Sequence, residues 1–339
     1  MSSAAVKGPH RRWAPVLEEL GLAPPQQRAL ERRLAAAWEV RKERQPPLFQ
    51  ATFLRRTEAV SLTGAACALN CAHCGAHYLR HMTPWQEFQG RLAPPRGEAA
   101  PAPAGAPGPG GGAGDIRPGA PASLLVSGGS DRQGRVPVLK HLAQLQRWRE
   151  AGFRLNLHLG LVDPQEAQVL AGLDAVVSLD FPGDDETIRQ VYGLDKSVAD
   201  YVAVYEGLRQ HMRVVPHVTL GLLAGRWHGE RAALARLQEL GAREVVFLVF
   251  IPTPGTRFAA ALPPPVQEVA AFLAEARQAL PEARLTLGCM RPPGDYRRKL
   301  DSLAVLAGMN QIVQPVRSAV QLAEAQGLRI VGGEECCVF

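Results

Sequence analysis

The hydrophobic residues of the chain fall into short runs that alternate with amphipathic stretches of helical length. The short runs are β-branched or leucine-rich, which is typical of strands buried on both faces. They lie at Ala59–Thr63, Ser123–Ser127, Arg154–Leu159, Asp174–Asp180, Arg213–Leu220, Glu244–Ile251, Arg284–Leu287 and Asn310–Val313. The amphipathic stretches between them include Val136–Ala151, Ser197–His211, Glu230–Leu240 and Val266–Leu280. Strands that alternate with helices in this way predict a parallel sheet.

The number of these segments indicates an α/β fold of the TIM-barrel type. Eight strands with intervening helices form a (β/α)8 barrel, whose active site lies at the carboxyl ends of the strands. The last segment is weak, so a partial (β/α)6 parallel barrel followed by a tail is the alternative. We expect an N-terminal helical extension over residues 1–50, the barrel over 51–330 and a C-terminal cysteine tail over 331–339. Within the barrel, residues 91–122 form a predicted flexible insertion, because nearly all residues from Arg91 to Gly114 are Ala, Gly or Pro.

The composition favours a cytoplasmic protein. The chain has 339 residues, 46% of them hydrophobic, which is enough to bury a large core. The first residues do not resemble a signal peptide, and the apolar run Val245–Ile251 is too short to cross a membrane. Thiols stay reduced in the cytoplasm, so the six cysteines are candidates for metal binding or catalysis rather than for disulfides.

The net charge of +6 is partly concentrated on a predicted helix, Gln26–Gln45. Its basic residues are Arg28, Arg32, Arg33, Arg41, Lys42 and Arg44, interleaved with Glu31, Glu39 and Glu43. The helix is either an ordinary solvated face or a docking surface for an acidic protein or a nucleic acid. Nucleic acid is the weaker candidate, because no RNA-binding module or aromatic–basic interleaving accompanies it.

Three cysteines follow the first predicted strand with the spacing Cys-x3-Cys-x2-Cys, at Cys67, Cys71 and Cys74. Three thiolates on one loop can bind three corners of a cubic iron–sulfur cluster and leave the fourth iron open. A structural zinc or an electron-transfer cluster would need a fourth ligand, for which His73 and His77 are candidates.

This motif resembles that of the radical S-adenosylmethionine (SAM) superfamily. The resemblance implies that Cys67, Cys71 and Cys74 hold a 4Fe-4S cluster, that its open iron binds S-adenosyl-L-methionine, and that reductive cleavage releases a 5′-deoxyadenosyl radical. It also implies an electron donor such as ferredoxin or flavodoxin. His73 stands where the superfamily usually has an aromatic residue against the adenine.

Further predicted cofactor contacts lie at later strand ends. Ser127-Gly128-Gly129-Ser130 resembles the Gly-Gly-Glu motif that contacts the amino group of the cofactor. Ser130 replaces the usual acid, and Asp131 follows it. Asp180 is a candidate for a ribose, carboxylate or substrate contact. The other polar candidates on the strands are His158, Ser178, His217 and Thr219.

The remaining cysteines are candidates for a second cluster. Cys289 directly follows the seventh predicted strand, and Cys336 and Cys337 lie in the tail after Gly332-Gly333, which we expect to fold across the barrel mouth. The alternatives are a buried structural Cys289 and an adventitiously oxidised tail pair. A substrate radical near cluster sulfide can capture sulfur, so a second iron–sulfur cluster would permit sulfur insertion.

Across roughly residues 50–339 the chain resembles the biotin synthase-like branch, and the nearest likeness that we can name is the split two-protein lipoyl synthases. The resemblance implies a sulfurtransferase that acts with a paired radical SAM partner on an octanoyl group of an acidic lipoyl carrier domain. The residues that carry it are Ser61–Gly64, His77–Leu79, Met82, Gly160-Leu161, Asp180, Gly183, Val191–Leu194, Pro252–Thr256, Gly288–Pro292 and Glu335–Cys337.

Two features depart from relatives of this kind. One-protein lipoyl synthases carry auxiliary cysteines near the N-terminus, but residues 1–66 contain none. Biotin synthases carry them within the barrel, but the second to sixth predicted strands contain none. Two alternatives therefore stay open: a one-cluster radical SAM enzyme that rearranges or methylates a small molecule, and a non-enzymatic iron–sulfur or zinc-binding protein.

Overall fold

The computed structural model describes residues 13–92 and 121–339, and within them the chain forms a single curled sheet of parallel strands. All eight predicted strand segments are confirmed, and three further strands join them. The strands are β1 (Leu48–Thr52), β2 (Thr57–Ser61), β3 (Thr83–Pro84), β4 (Ser123–Ser127), β5 (Arg154–Leu159), β6 (Val176–Asp180), β7 (Arg213–Leu220), β8 (Glu244–Val249), β9 (Arg284–Leu287), β10 (Gln311–Val313) and β11 (Arg329–Gly333).

Helices follow most of these strands and cover the outer face of the sheet. The amphipathic stretches predicted from the sequence all contain one. The helices are α1 (Ala14–Glu18), α2 (Pro24–Arg44), α3 (Trp85–Leu92), α4 (Leu142–Glu150), α5 (Pro164–Ala171), α6 (Asp185–Thr187), α7 (Val198–Arg209), α8 (Glu230–Glu239), α9 (Val266–Ala279), α10 (Asp295–Leu306) and α11 (Arg317–Ala325).

The sheet is a partial barrel, in agreement with the predicted fold class. Its strand order is β11-β1-β10-β9-β8-β7-β6-β5-β4-β2-β3. Side chains alternate along each strand, so one set points outward and is buried under the helices, as Leu157, Val177 and Phe247 are. The other set points into the barrel, and register places Asp180 beside His217 on neighbouring strands. Chemistry-bearing residues on different strands are thereby brought into one interior.

The strands that the sequence did not predict lie at the ends of this order. β1 pairs in parallel with both β10 and β11, while β2 pairs with β3 and β4. Only Phe53–Arg56 connect β1 to β2, and backbone N–H groups of Phe53, Arg55 and Arg56 donate to carbonyls of Gly333 and Glu334. The C-terminal segment is thus hydrogen-bonded to the short connection between β1 and β2.

The N-terminal helices pack onto the barrel. Leu30, Leu34, Ala37 and Trp38 of α2 are buried, and α2 packs against α9. The spacing of these residues places them on one helix face. Arg41 is also buried: its guanidinium donates to the carbonyl of Leu48 at 2.6 Å. Arg41 is therefore neither exposed to solvent nor available to a docking partner. Both interpretations of the basic helix are wrong for this residue.

Two sequence predictions fall partly or wholly beyond these residues. Residues 93–120, most of the predicted insertion, lie outside the described part of the chain, as do residues 1–12. Among the described helices, none has the length and apolar character that a membrane crossing requires.

Candidate active site

The cysteine loop follows β2 and is shaped by residues with left-handed backbone conformations. Gly64 has φ 61°, Asn70 φ 47° and Gly75 φ 49°. Such angles are accessible mainly to glycine and asparagine, so the local sequence itself favours the turns. They fold residues 64–76 into a compact loop at the carboxyl end of β2.

Neighbouring loops hold this loop by backbone hydrogen bonds. The Ala68 N–H donates to the Ser130 carbonyl at 2.8 Å, and the Ala72 N–H donates to the Val191 carbonyl at 2.7 Å. The Ala72 carbonyl in turn accepts from the Phe258 N–H at 3.1 Å. Segments after β4, β6 and β8 therefore all fix the position of the cysteines.

Gly129 is essential to this contact. A Cβ atom there would lie 1.9 Å from the Ala66 carbonyl oxygen and 2.6 Å from Cys67 Cα, closer than atoms can approach. Its N–H donates to Thr63 Oγ1 at 2.6 Å. The glycine after β4 thus permits close backbone packing against the cysteine loop, which is a role for the Gly-Gly pair that the sequence alone did not identify.

The front thiols interact with each other. A hydrogen bond from Cys71, helped by the Ala76 backbone N–H, lowers the pKa of Cys74 to about 7. The same hydrogen bond, together with burial, raises the pKa of Cys71 well above its usual value. One thiolate of the trio is thus already favoured near neutral pH, and thiolates are the form that binds metals.

A cavity of about 410 Å³ opens at the carboxyl ends of the strands, and its lining is mainly apolar. All three front cysteines and all six predicted cofactor-binding residues contribute to it. These residues are Cys67, Cys71, Cys74, His73, Ser127, Gly128, Gly129, Ser130 and Asp180. His158, Thr219 and Cys289 line the same cavity. The sequence-predicted candidates therefore converge on one interior space.

Ser130 and Asp131, which follow β4, have different roles. Ser130 lines the cavity, but Asp131 accepts hydrogen bonds from the backbone N–H groups of Gln133 and Arg135 at 2.9 and 3.0 Å. Asp131 is exposed and serves its own turn. Asp131 therefore does not substitute for the glutamate of the Gly-Gly-Glu motif, whose position Ser130 occupies in this chain.

Asp180 and His158 form the charged pair of the cavity. His158 Nε2 lies 3.4 Å from Asp180 Oδ1. Burial alone would raise the pKa of Asp180, but the charge and hydrogen bond of His158, with contributions from His217 and His73, lower it to about 2. For His158, burial opposes protonation, but the Asp180 carboxylate outweighs it and raises the pKa. The pair can therefore present a carboxylate and an imidazolium to a polar substrate.

His73 is half-buried and packs edge-on against Tyr192, with ring centroids 6.0 Å apart. Burial lowers its pKa to about 4, so the ring is neutral. Its Nδ1 atom is buried without a hydrogen-bond partner among the described residues.

The tail cysteines contact each other inside the barrel, but the tail does not cover the mouth as we expected. The first residues of β2 and β5 bind it instead: Thr57 Oγ1 accepts from the Cys336 N–H at 2.8 Å, and Arg154 forms an ion pair with Glu335. The prediction was wrong because β11 pairs with β1, and the carboxyl end of β1 leads through Phe53–Arg56 directly into the amino end of β2. The tail that follows β11 therefore emerges beside the amino ends of β2 and β5. Cys336 and Cys337 thus lie on the barrel floor.

Cys289 lines the cavity and also interacts electrostatically with the two tail cysteines. Burial and the charge of Cys336 raise the pKa of Cys289, and the charge of Cys289 contributes to raising that of Cys337. Its loop is fixed by Arg291, which donates to the Gly288 carbonyl at 2.6 Å and pairs with the buried Asp301 at 2.7 Å. Cys289 is therefore held at the lining of the cavity, within electrostatic reach of the two tail thiols.

Several interior residues escaped the sequence analysis. Asn156 Nδ2 lies 2.9 Å from Cys336 Sγ, and its Oδ1 accepts from Ser178 at 2.8 Å. Tyr192 and Tyr201 also line the cavity. Strand alternation places Asn156 on the same side as His158, which is the one signal that could have identified it.

The donor sets discriminate between a single ion and a cluster. Within residues 13–92 and 121–339, no three His, Cys, Asp or Glu side chains converge as ligands of one metal ion do. A cubic cluster differs because each thiolate binds a different iron, so its ligands stand apart. Three thiols on one loop beside a large cavity fit a cluster with an open iron better than a zinc site.

No protein-family model matches the chain, and no curated relative matches it. Among solved structures, the fold is similar to that of methylornithine synthase (PylB), with a TM-score of 0.60 over 93% of each chain and 16% sequence identity. A weaker likeness, with a TM-score of 0.41 and 12% identity, is to anSMEcpe with bound AdoMet and Cp18Cys peptide, over 68% of this chain and 59% of that one. The first likeness agrees with the partial barrel described above.

Proposed function

We propose that this chain is a radical SAM enzyme that abstracts a hydrogen atom from a substrate held inside the barrel. The observation that carries the proposal is the convergence of Cys67, Cys71 and Cys74 with the glycine-rich end of β4 on one cavity of about 410 Å³. When bound at these thiols, a 4Fe-4S cluster with S-adenosyl-L-methionine would supply a 5′-deoxyadenosyl radical by reductive cleavage.

The residues of the chain have separate roles in this proposal. The three front thiols hold the cluster, and Gly129 allows the β4 loop to fix their loop. His73, Ser127, Gly128 and Ser130 would contact the cofactor, since they line the cavity around the thiols. The apolar lining excludes water, which protects a radical from side reactions.

The substrate that we favour is a small molecule, and the reaction a rearrangement. The paired Asp180 and His158 offer a negative and a positive charge within the cavity, as binding of a small zwitterion would require. The fold likeness to methylornithine synthase supports this choice. The reaction would need one cluster, with an electron donor such as ferredoxin or flavodoxin.

A mass-spectrometric substrate screen tests the small-molecule proposal. The anaerobically reconstituted protein is incubated with SAM, dithionite and perdeuterated amino acids, and deuterium in 5′-deoxyadenosine is measured. A substrate should transfer deuterium, and Asp180→Asn should lower that transfer at least tenfold. Deuterium transfer only from a perdeuterated octanoyl-lysine peptide would instead favour the second candidate.

The second candidate is sulfur insertion into an octanoyl group of a lipoyl carrier domain. It is favoured by Cys336 and Cys337, whose sulfur atoms lie 4.0 Å apart inside the barrel, and by Cys289, which lines the cavity. A second cluster there would provide sulfide close to the substrate. The basic residues Arg28, Arg32, Arg33, Lys42 and Arg44 on α2 are exposed and would suit an acidic carrier, and a paired radical SAM enzyme would complete the reaction.

Iron and sulfide quantification separates the two candidates. Sulfur insertion predicts about eight irons per chain in the reconstituted protein, falling to about four in Cys336→Ala/Cys337→Ala. The one-cluster reaction predicts about four irons in both proteins. A gain of sulfur mass on an octanoyl-lysine carrier peptide would establish the second candidate directly.

A further inference from the structure

The His217 imidazole faces one of the rear thiols, that of Cys337. Its Nε2 atom lies 3.5 Å from Cys337 Sγ, and Cys337 Sγ lies 4.0 Å from Cys336 Sγ. We infer that Nε2 of His217 is the nitrogen ligand of a second iron–sulfur cluster whose sulfur ligands include Cys336 and Cys337. The inference rests on the second candidate function, which requires that cluster.

The hydrogen bond at the other ring nitrogen fixes the ligand atom. Nδ1 of His217 lies 3.0 Å from the Val215 carbonyl, which can only accept, so Nδ1 carries the proton. Nε2 of the neutral ring then has a free lone pair directed toward Cys337. Metal-binding histidines have this arrangement, in which a carbonyl that accepts from one ring nitrogen orients the other toward the metal.

The neighbouring His158 is engaged elsewhere. Its Nε2 pairs with Asp180 at 3.4 Å, within the cavity. The rings of His158 and His217 are 6.0 Å apart, so the two can be compared as matched sites. Of these two rings, His217 has the nitrogen that faces a thiol.

The thiols are held where a cluster could form. Cys336 is buried, its N–H donates to Thr57 Oγ1, and Asn156 Nδ2 lies 2.9 Å from its sulfur. An amide donor of this kind stabilises a thiolate or a bridging sulfide. The two tail thiols and the Nε2 atom of His217 therefore lie in one continuous set of contacts inside the barrel. Iron–sulfur clusters with mixed cysteine and histidine ligands are known chemistry.

The test isolates the rear site by removing the front one. Cys67→Ala/Cys71→Ala/Cys74→Ala protein is reconstituted anaerobically with ferrous iron and sulfide, its iron is counted, and the dithionite-reduced sample is measured by pulsed EPR. We expect about two or four irons per chain. We also expect a directly coordinated nitrogen whose coupling changes when the protein is grown with ¹⁵N-histidine.

Two substitutions in that background assign the nitrogen. His217→Asn keeps a donor for the Val215 carbonyl but removes the ligand atom, so the nitrogen coupling should disappear and the iron content should fall severalfold. His217→Cys supplies a thiolate, so the iron should remain while the coupling disappears. His158→Gln is the matched control and should keep both. If His217→Asn is insoluble, the nitrogen coupling in the EPR spectrum of His217→Cys decides whether His217 is the ligand.

The contrary outcomes are distinct. Retained iron without nitrogen coupling, or coupling that survives in His217→Cys, would overturn the role of His217. Absence of iron from the triple variant would overturn the rear cluster altogether. The proposed radical SAM activity would still stand in that case, provided that the wild-type protein holds about four irons and cleaves SAM.

Discussion

Cys337 Sγ lies 3.5 Å from His217 Nε2, although the two residues are 120 positions apart in the sequence. The contact exists because the C-terminal segment turns under the barrel and inserts its thiols from the amino ends of the strands. The interior thus has two layers, with the front thiols and the cavity above and the tail thiols below.

Arg154 holds the tail from below. It forms an ion pair with Glu335, and its guanidinium lies 4.5 Å from the Phe339 ring centroid. We expect Arg154→Ala to weaken the closed tail by about 1 kcal/mol, since both contacts are partly exposed. Alkylation of Cys336 by iodoacetamide should then be about fivefold faster in the apo protein.

Arg236→Ala is the control for tail opening. Arg236 also pairs with a glutamate, Glu239, at 2.7 Å, but both residues lie on α8 and neither contacts the tail. Its alkylation rate should equal that of the wild type. Equal rates in all three proteins would show that Arg154 does not hold the tail.

Gly129→Ala should disrupt the cysteine loop. The added methyl group would lie 1.9 Å from the Ala66 carbonyl oxygen, so the loop must move. Iron retained at the front site should fall at least severalfold, with a parallel loss of SAM cleavage. Gly207→Ala in α7 is the control, because its Cβ meets nothing within 4 Å. It should raise stability by about 0.5–1 kcal/mol and leave iron content unchanged. Normal iron in Gly129→Ala would contradict the packing role.

The buried ion pair of Arg291 and Asp301 should be important for stability. Both side chains are fully buried, and Arg291 also donates to the carbonyls of Gly288 and Val313. Removing one partner leaves a buried charge, so Arg291→Ala should lower the free energy of unfolding by about 3–5 kcal/mol. The exposed pair of Arg231 with Glu275 provides the comparison, and Arg231→Ala should cost less than about 1 kcal/mol. If urea unfolding showed similar losses of unfolding free energy for Arg291→Ala and Arg231→Ala, the stabilising role of the buried pair would be contradicted.

Asp180 should control the protonation of His158. The folded-state pKa of Asp180, about 2, is below its ordinary 3.8. Its ionised form therefore stabilises the fold above pH 3.8, and this contribution disappears as the pH falls toward 2. The pKa of His158 is raised, so its contribution is complete below its unfolded-state pKa and disappears as the pH rises through the folded-state value.

Histidine NMR of the apo protein checks this coupling. In Asp180→Asn the carboxylate is lost while burial remains, so the pKa of His158 should fall below its ordinary value. Asp131→Asn, in the exposed turn after β4, should leave that pKa unchanged. A His158 pKa that is identical in wild type and Asp180→Asn would exclude the charged pair.

The sequence predicted the parts of the fold that follow from local pattern. Runs such as Glu244–Ile251 are recognisable as strands because strands buried on both faces are nearly continuously apolar. β11 was missed because Arg329–Gly333 is largely exposed and ends in two glycines. β1 was missed because Leu48–Thr52 is short and directly follows two prolines.

The candidate site was predictable where its residues share one loop or lie at the ends of the predicted strands. The front cysteines share one loop, and their spacing is the basis of the proposed chemistry. The contact of Asn156 with Cys336 spans 180 positions and depends on where β11 delivers the tail. Such a relationship is a property of the folded topology and leaves no local signal in the sequence.

The proposed role of Cys67, Cys71 and Cys74 is to support reductive cleavage of SAM, and the formation of 5′-deoxyadenosine reports this reaction. Anaerobically reconstituted protein is incubated with SAM and dithionite, and 5′-deoxyadenosine is quantified by mass spectrometry. We predict 5′-deoxyadenosine from the wild type and at least a hundredfold less from the Cys67→Ala/Cys71→Ala/Cys74→Ala variant. No 5′-deoxyadenosine from a wild-type protein that carries about four irons per chain, or equal amounts from both proteins, would contradict the account.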